Sequence, residues 1–125
     1  MLAEDGFGVA PKFQVLIVEV DAAAAGYALF FDCYSSFQGP GIFLEDLFVR
    51  NNFRGKGVGR ALLSHIAARV VELAYFGITF NFMHWNQSAL QFFEGAGAAM
   101  SDRKTLCLTG PALCGIAKHE SVNCS

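Results

Sequence analysis

Short apolar runs open the chain, and a longer run with a different period follows them. Gln14 to Val20 is rich in Val, Leu and Ile, a length and composition that predict a strand. Four alanines, Ala22 to Ala25, read as a connection. A second, aromatic-rich run spans Gly26 to Tyr34 and ends at Ser35, Ser36 and the turn cluster Gly39-Pro40-Gly41. Ile42 to Val49 is a third run, and connections this short predict a three-stranded meander. From Gly57 to Leu73 the apolar residues fall instead at Val58, Leu62, Ile66, Val70 and Leu73. Intervals of three and four place them on one stripe of a helix, leaving Arg60, Ser64 and Arg69 toward water. Gly77 suits the C-cap of that helix. Ile78 to His84 then reads as a fourth strand, Gln87 to Phe93 as a short helix closed by Gly95 and Gly97, and Lys104 to Leu108 as a last strand. The predicted order is βββ–α–β–α–β, an α/β (α+β) architecture, and the length of 125 residues suits one domain over 1–125.

Composition sharpens this in two places. Hydrophobic residues make up 54% of the chain and charged ones 16%, with a mean hydropathy of +0.39. A domain this small cannot bury so much apolar surface alone, so part of it is expected to meet another subunit. The formal net charge of −2 offers no basic face, so nucleic acid is not an expected partner. The start, Met1-Leu2-Ala3-Glu4-Asp5, is acidic where a secretory signal needs positive charge. The apolar run Ala22 to Phe31 is bounded by Asp21 and Asp32 and is far below the ~20 residues of a membrane span. These features predict a cytoplasmic chain with no membrane partner. Cys33, Cys107, Cys114 and Cys124 show no Cys-x-x-Cys pair, and His65, His84 and His119 no ligand spacing. Reduced thiols and no metal site are expected.

The candidate chemistry lies in Arg54-Gly55-Lys56-Gly57-Val58-Gly59, between a strand and the long helix. Alternating glycines free the backbone to approach a ligand, successive N–H groups can address one anion, and the helix N-terminus adds a favourable dipole. Arg54, Lys56 and Arg60 supply positive charge, and together these features suit a diphosphate. A Walker loop requires Gly-Lys-Ser/Thr, but Lys56 is followed by Gly57. A dinucleotide fingerprint requires Gly-x-Gly-x-x-Gly early in a βαβ unit, whereas this loop reads Gly-x-Gly-x-Gly after three strands. Neither fits, and on local grounds a glycine-rich turn with incidental basic residues stays open.

Arg54-x-x-Gly57-x-Gly59 resembles the Arg/Gln-x-x-Gly-x-Gly/Ala signature of GNAT acetyltransferases. Glu4-Asp5-Gly6-Phe7-Gly8, Gly26-Tyr27-Ala28, Leu44-Glu45-Asp46, Phe53-Arg54-Gly55 and Trp85-Asn86 extend the likeness to the diamine (spermidine/spermine) acetyltransferases, from about Leu2 to Thr109. The resemblance implies a central mixed, mostly antiparallel sheet flanked by helices, acetyl-CoA as cofactor, and direct acetyl transfer to a small-molecule amine. It assigns the diphosphate to the loop from Arg54 to Gly59 and the pantetheine arm to the main chain of Leu47, Phe48 and Val49. Asn86 borders the cofactor, and as a plain alternative it caps the helix from Gln87. Glu45 takes the place of the general base, which an amine charged at neutral pH requires. Period-two alternation puts it on one face with Leu47 and Val49, and a solvated strand-end carboxylate is the alternative.

Three departures from the family pattern stand beside these matches. The family's Phe-Tyr pair, whose tyrosine protonates the departing thiolate, is Phe92-Phe93 here, and a phenyl ring has no proton to give. That favours, as an alternative function, a CoA-binding module with weak or no turnover and a regulatory or structural role. The family's first strand and two following helices are absent, which predicts Gln14 to Val20 as an unprotected edge and a homodimer or strand-exchanged oligomer. At the acceptor end, Ser101-Asp102-Arg103-Lys104 offers only Asp102 to a second amine.

Overall fold

The computed structural model describes residues 12–83 and 85–118. These fall into two compact units that divide at Trp85, and each is described by itself. The segment Glu4 to Gly8, His84, His119 and Cys124 lie outside the described residues.

The first unit is a four-stranded sheet with one long helix. Strand β1 (Gln14–Val20), β2 (Ala23–Ser35), β3 (Gly39–Val49) and β4 (Ile78–Phe80) lie side by side in that order. The pairs β1–β2 and β2–β3 are antiparallel and β3–β4 is parallel, so the sheet is mixed and mostly antiparallel. Helix α1 (Val58–Glu72) forms the crossover from β3 to β4.

The alanine run does not act as a connection. The hairpin turns at Asp21 and Ala22, both at positive φ (52° and 64°), as a two-residue turn matched to strand twist requires. Ala23 to Ala25 already belong to β2. Likewise the second turn is Ser36 to Gln38, where the Ser35 hydroxyl accepts from the N–H groups of Phe37 and Gln38, each at 3.2 Å. Gly39-Pro40-Gly41 opens β3 rather than forming the turn.

Helix α1 buries Val58, Leu62, Ile66 and Val70, the predicted stripe. They meet a core of Ala25, Ala28, Phe30, Ile42 and Leu44, in which the pairs Phe30↔Leu44 and Ile42↔Asp32 put Ala28, Phe30, Ile42 and Leu44 on one sheet face. Leu73 is 44% exposed and stands at the C-cap instead of on the stripe. Gly77 does not cap the helix. Ala74 takes the left-handed conformation (φ 57°), Tyr75 N–H donates to Val70 O at 3.0 Å and Ala74 N–H to Val71 O at 3.2 Å, a Schellman motif closed by alanine. Gly77 accepts from Ile42 N–H at 3.1 Å and so leads into β4, which ends at Phe80, well short of His84.

In the second unit, α2 (Gln87–Gly95) is followed by an irregular, exposed stretch and then by α3 (Gly110–Ala117). The expected strand from Lys104 to Leu108 is not formed. Leu106 is 96% exposed, and β-prone residues without a pairing edge gain nothing from extension. Helix α3 has Thr109 as its N-cap and Pro111 in its first turn, a start signal that sequence reading passed over. Cys33 and Cys107 are free, but Cys114 is disulfide-bonded, against the expectation of reduced thiols. Pairing needs Cα atoms within roughly 7 Å, which spacing along a chain does not reveal.

Candidate functional site

The loop after β3 runs through a single 3₁₀ turn, Asn51–Phe53, before the glycines. Gly55 and Gly57 stand at φ 77° and 81°. A Cβ on either would meet nothing within 4 Å, so conformation rather than space calls for glycine there. Arg54 N–H donates to Asn51 O at 3.3 Å. Among the described residues, no hydrogen bond of good geometry takes the main-chain N–H of Gly55, Lys56, Gly57, Val58 or Gly59, in a stretch that turns from Arg54 to Gly57. Gly57 is the N-cap of α1 and no side chain caps it. A run of unclaimed amides at a helix N-terminus is the arrangement that binds an anion. Lys56 extends its ammonium to 5.8 Å from the Phe53 ring centroid, and Lys56 and Arg60 are exposed.

The end of β3 is turned by one extra residue. Phe30 pairs with Leu44 and Leu29 with Asp46, which leaves Glu45 as a bulge. Before it, Ile42 N–H points to β4, donating to Gly77 O at 3.1 Å; after it, Arg50 N–H points to β2, donating to Ala25 O at 2.9 Å. Even-numbered residues therefore face opposite neighbours at the two ends of one strand. Counting back from Arg50, the main chain of Phe48 faces β2 and that of Leu47 and Val49 faces away from it. Pairing with β4 has ended at Leu44↔Phe80, so Leu47 and Val49 lie beyond the paired segment. The bulge also breaks the alternation used for Glu45. Counting from Leu44 and counting from Leu47 give that side chain opposite faces. Glu45 is exposed, as is its neighbour Asp46.

On the face away from α1, the Tyr27 hydroxyl donates to Asp46 at 2.6 Å, and the Tyr27 and Phe48 rings lie 5.7 Å apart. The carboxylate hydrogen bond, then burial and the charge of Asp46, push the Tyr27 phenol above its ordinary value.

Beside the loop lies an open groove of about 500 Å³, lined by Phe48, Arg50, Asn51, Asn52 and Arg54. Each arginine is steadied by one hydrogen bond to a main-chain carbonyl. Arg54 Nε donates to Val49 O at 3.1 Å, and Arg50 Nη1 to Ala24 O at 3.2 Å. Sequence reading singled out Arg54 but not Arg50, Asn51 or Asn52, which look like an ordinary polar loop until the 3₁₀ turn gathers them.

In the second unit Asn86 is the N-cap of α2, its Oδ1 accepting from Ala89 N–H at 3.1 Å, so the capping alternative holds. Phe93 is 8% exposed and meets Phe92 edge to face at 5.1 Å. Asp102 is exposed, and Arg103 N–H donates to the Ser101 hydroxyl at 3.1 Å in a local turn.

The chain is similar to known proteins. The chain is 39% identical over 100 residues to L-ornithine N5-acetyltransferase NATA1 of Arabidopsis thaliana, covering 78% of this chain and 44% of that one. It is 29% identical over 105 residues to thialysine N-epsilon-acetyltransferase of Bos taurus, covering 78% and 62%. The chain thus spans about half the length of these curated relatives. Among solved structures, the aminoglycoside N-acetyltransferase AAC(6')-Iy in complex with CoA superposes with a TM-score of 0.70 at 20% identity, over 81% of this chain and 78% of that one. At that identity the likeness concerns the fold. The sequence model of the Acetyltransferase (GNAT) family matches residues 3–98, the stretch that holds the mixed sheet, the bulged third strand and the glycine loop. The chain therefore belongs to the GNAT acetyltransferase family.

Proposed function

We propose that this chain binds acetyl-CoA and catalyses transfer of the acetyl group to a primary amine of a small molecule. The observation that carries the reading is the run of unclaimed amides from Gly55 to Gly59, set after a bulged strand in which the main chain of Leu47 and Val49 faces away from β2. The solved relative named above is a CoA complex, and the curated relatives are named for acetylating amines.

Acetyl-CoA, when bound, would supply an acetyl thioester, whose C–S bond gives way to a C–N bond with the amine while the coenzyme A thiolate leaves and takes a proton from water. The amides of Gly55, Lys56, Gly57, Val58 and Gly59, with Arg54, hold the diphosphate. The outward main chain of Leu47 and Val49 holds the pantetheine arm, and an N–H there polarises the thioester carbonyl as in an oxyanion hole. Phe48 contributes through its side chain, since its own main chain faces β2. Glu45, exposed and at the bulge, takes the amine proton through water. By the family resemblance Asn86 is assigned to the cofactor as well as capping α2, and Phe93 takes the sequence position of the proton donor to the departing thiolate.

Calorimetric titration with acetyl-CoA tests the binding, and a thiol-release assay over a panel of diamines and diamino acids tests the transfer. Absence of binding at millimolar acetyl-CoA overturns the reading. One observation favours a second reading, a CoA-binding module with little turnover: Phe93 is a buried phenyl with no hydroxyl. Binding without thiol release supports that module. Among the described residues strand β1 is an edge of the sheet, and we propose that it pairs with a second copy as a homodimer or by strand exchange. Light scattering that returns a monomer overturns that part.

A further inference from the structure

From the groove beside the glycine loop we infer that Phe48, Arg50, Asn51 and Asn52, with Arg54 shared with the diphosphate, form a second anion subsite, which takes a phosphomonoester of the same ligand, with Arg50 as its principal cation. The inference rests on the cofactor reading above and adds a specificity to it.

Four observations meet at this place. The groove, about 500 Å³, is lined by two guanidinium groups and two carboxamides, with no carboxylate among the lining residues. Neither arginine forms an ion pair among the described residues. Each is held by a single nitrogen against a carbonyl at the end of the sheet, Arg50 on Ala24 O and Arg54 on Val49 O, so the remaining N–H groups of each fork are uncommitted. Phe48, 44% exposed, adds a flat apolar wall. Steadied, unneutralised guanidinium groups are suited to bidentate phosphate recognition.

The number of anionic groups decides the occupant. The amides from Gly55 to Gly59 suffice for one diphosphate, so Arg50 and the asparagines are surplus to it. A phosphomonoester is close to a dianion at neutral pH, with three oxygens to share between the forks. Coenzyme A carries one such group, at its ribose 3′ position, in addition to its diphosphate. Arg50 lies outside the Arg54-x-x-Gly57-x-Gly59 pattern and would act on this group alone.

Calorimetry with coenzyme A and with 3′-dephospho-coenzyme A tests the assignment on the unaltered chain, Arg50→Gln and Arg50→Lys. The unaltered chain is expected to bind coenzyme A about 10-fold more tightly than the dephospho form. In Arg50→Gln that preference should fall to within about twofold through loss of affinity for coenzyme A, with the dephospho form unchanged; Arg50→Lys should keep part of it. Equal binding of the two ligands by the unaltered chain overturns the subsite and leaves the cofactor reading standing. An equal loss of both ligands in Arg50→Gln also overturns it, because Arg50 would then merely brace Ala24. If neither ligand binds, the cofactor reading fails and the subsite with it.

Discussion

Tyr27 on β2 donates its hydroxyl proton to Asp46 on β3 at 2.6 Å, directly after the bulged Glu45. The hydrogen bond joins two strands at the point where their ladder slips, and the Phe48 ring flanks it at 5.7 Å. The folded-state pKa of Tyr27 is raised above its ordinary 10.0. A group raised on folding contributes stability that is full below its unfolded pKa and is lost as pH climbs through the folded one. Tyr27→Phe should cost about 0.5–1 kcal/mol at neutral pH. It should also shrink the alkaline loss of stability that begins near pH 10, without removing the part due to Tyr75, which is raised in the same way by its hydrogen bond to Asp32. Urea denaturation of both proteins at neutral and alkaline pH measures this.

Two glycines of the sheet predict different penalties. A Cβ at Gly26 would stand 2.5 Å from Phe48 O, a backbone atom, and 3.2 Å from Val58 Cγ1. One at Gly41 would stand 2.4 Å from the Phe76 ring, a side chain 36% exposed and able to move aside. Gly26→Ala should therefore destabilise by about 2–3 kcal/mol and Gly41→Ala by about 1 kcal/mol. Denaturant midpoints rank them.

Leu62 is wholly buried between α1 and the sheet. Leu62→Ala removes its contacts and leaves a cavity, at a cost of about 2–5 kcal/mol. On the same helix Val71 is 79% exposed, and Val71→Ala should stay within about 0.5 kcal/mol of the unaltered chain. Thermal melts of the pair report whether this stripe carries the core.

Gly57 needs its φ of 81° and no extra room. Gly57→Ala should keep the fold, with a backbone cost of about 1–2 kcal/mol. Because it tilts the amides proposed to address the diphosphate, acetyl-CoA affinity should drop by about 10-fold. A melt combined with titration separates the two effects.

Phe93→Tyr restores a hydroxyl on a residue that is 8% exposed. If α2 delivers it to the thiolate, turnover should rise by about 10²-fold, the lower end for a general acid. The affinity for acetyl-CoA should hardly change. Steady-state thiol release against calorimetry makes the distinction, and an unchanged rate would remove Phe93 from the account of weak turnover.

The helix stripe at Val58, Leu62, Ile66 and Val70 was legible because a 3.6-residue period leaves a direct trace in sequence. The turn of the glycine loop was legible too, since Gly55 and Gly57 both stand at positive φ. The bulge at Glu45 was not: its residue carries no glycine signature, and only pairing with Leu29 and Phe30 exposes it. The turn at Asp21 and Ala22 was hidden because alanine does not advertise a left-handed conformation. Arg50 escaped notice because Arg-Asn-Asn reads as solvated loop, and only the placement of its side chain against Ala24 O gives it an address. Lys104 to Leu108 looked like a strand by residue type, yet strands exist only where an edge receives them.

The bulge carries a last consequence, about engineering. One supernumerary residue shifts the numbering of everything from Asp46 to Arg50 against the partner strand without breaking the pairs on either side of it. Deleting position 45 would therefore set Asp46 directly after Leu44, opposite Leu29, and leave the main chain of Leu47 and Val49 still facing away from β2. Such a protein would keep its core at Ile42 and Leu44 and lose only the exposed carboxylate that the bulge presents. A single-codon deletion would thus probe the proposed proton acceptor apart from the fold.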